Sequence, residues 1–116
     1  MIMRSIIAAT FVAALASSAA WAASPAGTFN VTGTNPGGAG HYTGTVTVTA
    51  NGQYTFRVVW HVAGQTVTGT GLWVDEKFAV GYQGDSVAVY TDMGDHWAGH
   101  WANGAATQTG TEDWTH

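Results

Sequence analysis

From Gly27 to the end of the chain, hydrophobic and polar residues alternate with a period of two, and no stretch repeats its apolar positions at the helical spacing. The pattern predicts strands throughout. The first covers Thr28 to Gly33, with Phe29 and Val31 on one side, and the segment NPGGAG from Asn35 to Gly40 breaks it. A second runs from His41 to Ala50, with Tyr42, Val46 and Val48 facing one way and threonines the other. Asn51-Gly52 is the preferred dipeptide of a tight hairpin turn. The third strand, Gln53 to Ala63, places Tyr54, Phe56, Val58, Trp60 and Val62 on a single face, which predicts a core row. Further strands follow at Thr66 to Val74, Phe78 to Gln83, Ser86 to Thr91, His96 to Ala102 and Ala106 to Thr115, the last two joined by a second Asn-Gly pair at Asn103-Gly104.

Eight short strands joined by short turns favour an up-and-down meander over a Greek key. The expected fold is all-β: a small eight-stranded antiparallel up-and-down barrel. Thr-Gly-Thr recurs at 32–34, 43–45, 68–70 and 109–111 with unequal spacing. It therefore reads as strand chemistry, in which threonine suits a solvated face and glycine leaves room for an aromatic ring on the neighbouring strand.

The beginning of the chain changes the picture. Met1 to Arg4 is short and positive, Ile6 to Leu15 is largely apolar, and Ala20-Trp21-Ala22 fits the small-x-small rule of a leader cleavage site. The expected organisation is a cleaved signal peptide over residues 1–22 and one barrel domain over 23–116, exported to the periplasm or the medium. Removing 22 of 116 residues leaves 94, in which two cations (Arg57, Lys77) face seven carboxylates, a net charge of 2 − 7 = −5. That balance argues against a nucleic-acid partner. The chain has no cysteine, so no disulfide, thiolate nucleophile or zinc-thiolate site is available. A domain this small without disulfides is best stabilised by a sheet closed on itself. Membrane spanning is not expected, because outer-membrane strands need about 9–11 residues and the fifth and sixth strands are shorter.

The segments TGTVTVT, NGQYTFRVVWHVAGQTVTGTG, VAVY, HWAGHW and GTEDW, between Tyr42 and Trp114, resemble a group of small exported bacterial proteins of uncharacterised function. Some of these carry the name fibronectin-binding protein. More distantly the meander is similar in architecture to avidin-like and lipocalin-like barrels. The resemblance implies a barrel and implies no catalytic residues.

Candidate chemistry is sparse. After the leader only Ser24 and Ser86 remain as serines, neither in a nucleophile elbow, so no catalytic residue and no enzymatic activity is expected. His96 and His100 lie four apart, but on a strand that spacing separates them by about 13 Å, too far for one zinc. A metal site would need partners such as His61 or Asp95, and neither a metal nor another cofactor is expected. The tryptophans are more informative. Trp97 and Trp101 share one face of the seventh strand, while Trp60, Trp73 and Trp114 lie on others. Five indoles either fill the core or line a pocket at a barrel mouth. Glu112 has the same parity as Trp114, so it points inward and needs a partner, unless twist at the strand end returns it to water. The expected ligand-binding residues are Trp97, Trp101, Glu112 and Trp114, in a binding protein for a small apolar or aromatic ligand. The alternative is a surface or adhesion protein that holds an extracellular macromolecule through its outer face.

Overall fold

The structure, a computed structural model, describes residues 24–116. The expected leader at 1–22 lies outside the described residues. Eight antiparallel strands form a closed barrel in chain order: β1 (Gly27–Thr34), β2 (His41–Ala50), β3 (Thr55–Val62), β4 (Gln65–Val74), β5 (Lys77–Tyr82), β6 (Ser86–Asp92), β7 (Trp97–Ala102) and β8 (Gly110–Thr115). A 3-10 turn, Pro36–Gly38, interrupts the first connection. Closure comes from β1 pairing with β8, with Val31 opposite Trp114 and Gly33 opposite Glu112. Every strand then has two neighbours and no hydrogen-bonding edge is left open, so the sheet supplies the stability that a disulfide-free domain needs.

The alternation read from the sequence is the alternation of burial. Phe29, Val31, Val46, Val48, Phe56 and Val58 are buried, while the threonines between them are largely solvated. Arg57 points outward. Burying each large apolar side chain is worth about 1.5–3 kcal/mol, which makes these rows the main source of stability.

One end of the barrel is closed by rings. Phe78 meets Phe56 at 5.5 Å and Trp97 at 6.4 Å edge-on, and Trp114 stacks on Phe29 at 5.7 Å and lies 4.1 Å from Tyr90. Trp114 is fully buried at the centre of this plug.

Three local expectations need correction. Neither Asn-Gly pair forms a two-residue hairpin. Ala50 pairs with Phe56, and residues 51–54 form the β2–β3 connection, closed by the Asn51 N–H on the Thr55 carbonyl at 2.9 Å. Trp101 pairs with Gly110, so a loop over 103–109 precedes β8, which starts four residues later than expected. A two-residue turn with both residues at positive φ sits instead at Ala63-Gly64 (φ 52° and 76°), between Val62 and its partner Gln65, and Gln83-Gly84 (φ 48° and 80°) take the same signs in the β5–β6 connection. Barrel register decides where strands end, and it overrides the local preference of Asn-Gly. As a consequence Tyr54 leaves the core row. It lies in the bent segment before β3, 56% exposed, where its hydroxyl accepts from Gln53 Nε2 at 3.1 Å and its carbonyl accepts from the Trp73 N–H. The seventh strand likewise begins at Trp97 rather than His96, and His96 Nδ1 lies 2.7 Å from Asp95 Oδ1 in the preceding turn.

Candidate functional site

The end opposite the ring plug carries the β1–β2, β3–β4, β5–β6 and β7–β8 connections, and there the interior opens into a cavity of about 350 Å³. Its walls are aromatic. Tyr42 from β2 meets Trp101 from β7 edge-on at 6.4 Å, and Trp60 from β3 lies 5.2 Å from Tyr82 of β5. Val62 and Val67 add aliphatic surface, and the rim is polar, with Asn35, His41, Gln83 and Asn103.

Glycines on adjoining strands give these rings their positions. Gly33 lies opposite Tyr42 in the β1–β2 register, and a methyl there would fall 2.2 Å from Tyr42 Cζ. Gly110 lies opposite Trp101, with the corresponding distance to the indole 2.5 Å, and Gly99 lies opposite Tyr90 at 2.3 Å. Each ring lies flat over a strand that lacks a side chain at that point. Two of the four Thr-Gly-Thr elements, at Gly33 and Gly110, therefore seat cavity aromatics, as the sequence reading expected of such glycines. The other two do not: at Gly44 and Gly69 the tightest approach is a backbone carbonyl, that of His61 or Gly81.

At the floor of the cavity is Glu112, 5% exposed. Four donors from four strands converge on it. Oε1 accepts the Tyr42 hydroxyl at 2.6 Å. Oε2 accepts Trp60 Nε1 at 2.7 Å, Tyr90 Oη at 2.8 Å and Trp114 Nε1 at 2.8 Å. Burying a carboxylate costs several kcal/mol unless its lone pairs are met, and here neutral dipoles meet them in place of a cation. Both Arg57 and Lys77 lie on the outer surface, and Lys77 Nζ donates to Thr91 Oγ1 at 2.8 Å.

The phenols respond to this arrangement. Burial, the Glu112 charge and the hydrogen bond to Glu112, in that order, push the pKa of Tyr90 well above its ordinary value, and the same causes act on Tyr42. Tyr82, which makes no hydrogen bond to the carboxylate, is pushed up to about 12 by burial and the Glu112 charge. The Trp101 N–H acts on the Tyr42 hydroxyl in the opposite direction. Its geometry falls short of a hydrogen bond, which leaves Nε1 sheltered from solvent and without a partner.

The four residues expected from the sequence are thus separated by depth. Trp101 and Glu112 line the cavity. Trp114 lies beneath it, donating to Glu112 from the plug. Trp97 is at the far end against Phe78, opposite Trp114 in the register, and does not reach the cavity. Glu112 points inward, and its partners are Tyr42, Trp60, Tyr90 and Trp114. Of these, only Trp114 was expected from the sequence; Tyr42, Trp60 and Tyr90, together with the wall residue Tyr82, were not foreseen as site residues. The available signal was parity: Tyr42 shares its inward face with Val46, as Trp60 does with Val58. Among the described residues no group of three or more His, Cys, Asp or Glu side chains is placed to hold a metal. His61 contacts Thr66 Oγ1 at 3.1 Å, and His100 is exposed. No helix of the described residues is long and apolar enough to cross a membrane.

No protein-family model and no curated protein matches the chain. Among solved structures it is similar to a redesigned β-barrel, mFAP1, determined bound to DFHBI. The two share 19% sequence identity with a TM-score of 0.58, over 78% of this chain and 94% of the other. At that identity the likeness establishes the fold, a small β-barrel.

Proposed function

We propose that the protein is an exported, non-enzymatic barrel that binds a small organic ligand in the cavity above Glu112. One observation carries this reading: a buried carboxylate, oriented by four hydrogen bonds, forms the floor of an aromatic-walled cavity that opens to solvent. A barrel filled only for stability gains nothing from such a group, because apolar residues of the same volume avoid the desolvation cost. A polar group fixed in position among apolar walls is the usual arrangement of a ligand site, and about 350 Å³ falls at the lower end of the ~300–1,000 Å³ typical of such sites. The structural neighbour, solved with a small molecule bound, supports the idea that a barrel of this architecture accommodates one. Export rests on the leader-like residues 1–22, and a soluble rather than membrane-spanning state rests on the threonine-rich outer rows.

Native mass spectrometry of the protein purified from its own host tests the reading. A retained molecule that is lost on Trp101→Ala supports it. A ligand-free protein whose melting temperature is unmoved by any member of a library of small aromatic compounds refutes it.

The adhesion reading keeps one observation in its favour. On the outer face Leu72 neighbours Ala79, which neighbours Val89, and both Leu72 and Val89 are about half exposed. Binding to an immobilised matrix protein that is lost on Leu72→Ser with Val89→Ser would favour that face over the cavity.

A further inference from the structure

We infer that the ligand of this cavity is an organic cation, a protonated amine on an apolar or aromatic body, whose N–H donates to Glu112 Oε1. The inference rests on the ligand-binding reading above and specifies its chemistry.

The first argument is charge. Glu112 is buried, and among the described residues no cation approaches it. The groups that face it are Tyr42 on β2, Trp60 on β3, Tyr82 on β5, Tyr90 on β6 and Trp114 on β8, all neutral at physiological pH. Among the described residues that line the cavity His41 is the only base, and it stands exposed at the rim. Dipoles satisfy the carboxylate locally but leave its charge uncompensated, so a cation in the cavity gains Coulomb energy at reduced dielectric, while an anion is repelled.

The second argument is valence. A carboxylate oxygen accepts about two hydrogen bonds. Oε2 already has three donors, whereas Oε1 has one, the Tyr42 hydroxyl. The remaining acceptor site on this group is therefore on Oε1, beside a residue of the cavity wall. A ligand N–H fits that position.

The third argument is the walls. Tyr42, Trp101, Trp60 and Tyr82 present aromatic rings in two contacting pairs around the space, and ring faces attract ammonium groups. Seven carboxylates against two cations in residues 24–116 add long-range attraction for the same class.

Four probes that share one ring and differ in charge and donors test the inference: benzylammonium, benzyltrimethylammonium, benzyl alcohol and phenylacetate. Each is titrated against the mature protein by calorimetry and tryptophan fluorescence. Benzylammonium should bind at least about tenfold more tightly than benzyl alcohol, as expected for a charge-assisted hydrogen bond with cation–π support. Benzyltrimethylammonium, charged but without a donor, should fall between them, and phenylacetate should not bind. In Glu112→Gln the gap between amine and alcohol should close to within about twofold. Tyr42→Phe frees a lone pair on Oε1 and should preserve or enlarge the gap, which gives a second reading if the Gln variant does not fold. Equal affinity of the parent for amine and alcohol overturns the inference, as does a gap that survives in folded Glu112→Gln. A neutral or anionic molecule retained by the host-purified protein also overturns it, and leaves the ligand-binding reading intact. If no probe binds and no molecule is retained, both fall.

Discussion

The substitution Gly33→Ala tests whether the cavity is held open by rings resting on glycines. The Gly33 φ is not positive, so alanine fits the backbone and the effect comes from space alone. The added methyl would lie 2.2 Å from Tyr42 Cζ and 2.4 Å from its hydroxyl, inside van der Waals contact. Tyr42 must swing away, and its 2.6 Å hydrogen bond to Glu112 goes with it. Overpacking costs about 1–3 kcal/mol, and losing a hydrogen bond to a charged group about 1.5–3 kcal/mol. The reduced freedom of the unfolded chain returns about 0.4–1 kcal/mol. The net loss is about 2–5 kcal/mol, against a total of about 5–14 kcal/mol for a domain of this length. With a urea slope of about 1–3 kcal/mol/M, the unfolding midpoint should fall by at least roughly 0.7 M. A double-mutant cycle isolates the cause. The three atoms nearest to the added methyl all belong to Tyr42, so in a Tyr42→Ala background Gly33→Ala should cost no more than about 0.5 kcal/mol. Equal costs in the two backgrounds, or a parent cost below about 0.5 kcal/mol, would refute the account of the ring seat.

Other outcomes follow from the same geometry. Phe56→Ala, in the plug, should cost about 3–5 kcal/mol, whereas Thr55→Ala and Tyr54→Ala should each stay within about 0.5 kcal/mol; a large effect at Tyr54 in urea melts would restore it to the core. Trp97→Phe should lower stability without changing benzylammonium affinity, while Trp101→Phe should weaken that affinity, and the reverse pattern in calorimetry would misplace the site. Tyr90 and Tyr42 have folded pKa values raised above the unfolded value of about 10. Their contribution is therefore complete below about pH 10 and is lost as pH rises towards the folded values, so stability should decline in alkali. Ultraviolet titration of a Tyr54→Phe, Tyr82→Phe variant should show phenolate only as the fold is lost, and ionisation of the folded protein would contradict the assignment. The exported form should begin at Ala23, which N-terminal mass analysis decides.

What could be read from the sequence and what could not divide along a physical line. Strand parity depends on the residue itself and its immediate neighbours, so the inward face of β3 from Phe56 to Val62 and the inward turn of Glu112 were accessible from alternation alone. Depth along the barrel is different, because it depends on how far each strand slides against the next. Trp97 and Trp101 share a face, yet the β7–β8 register puts Trp97 beside Trp114 in the plug and Trp101 beside Gly110 at the mouth. Nothing local to HWAGHW separates those fates. The same register turns Asn103-Gly104 into part of a longer loop. Glu112 illustrates the consequence. Its need for partners follows from its parity, but which partners it has follows from register and from closure of the barrel, which carries β2 and β3 around to face β8. Those strands bring Tyr42 and Trp60, which in a flat sheet with the same alternation would never meet the carboxylate, whereas Tyr90 reaches it directly across Gly99 of β7. The β2 and β3 donors that help hold the charge in place are therefore a product of the closed topology, and the cavity chemistry stands or falls with it. A variant that opens the β1–β8 seam should lose the Glu112 cluster and ligand binding together, even where every other strand pair survives hydrogen exchange.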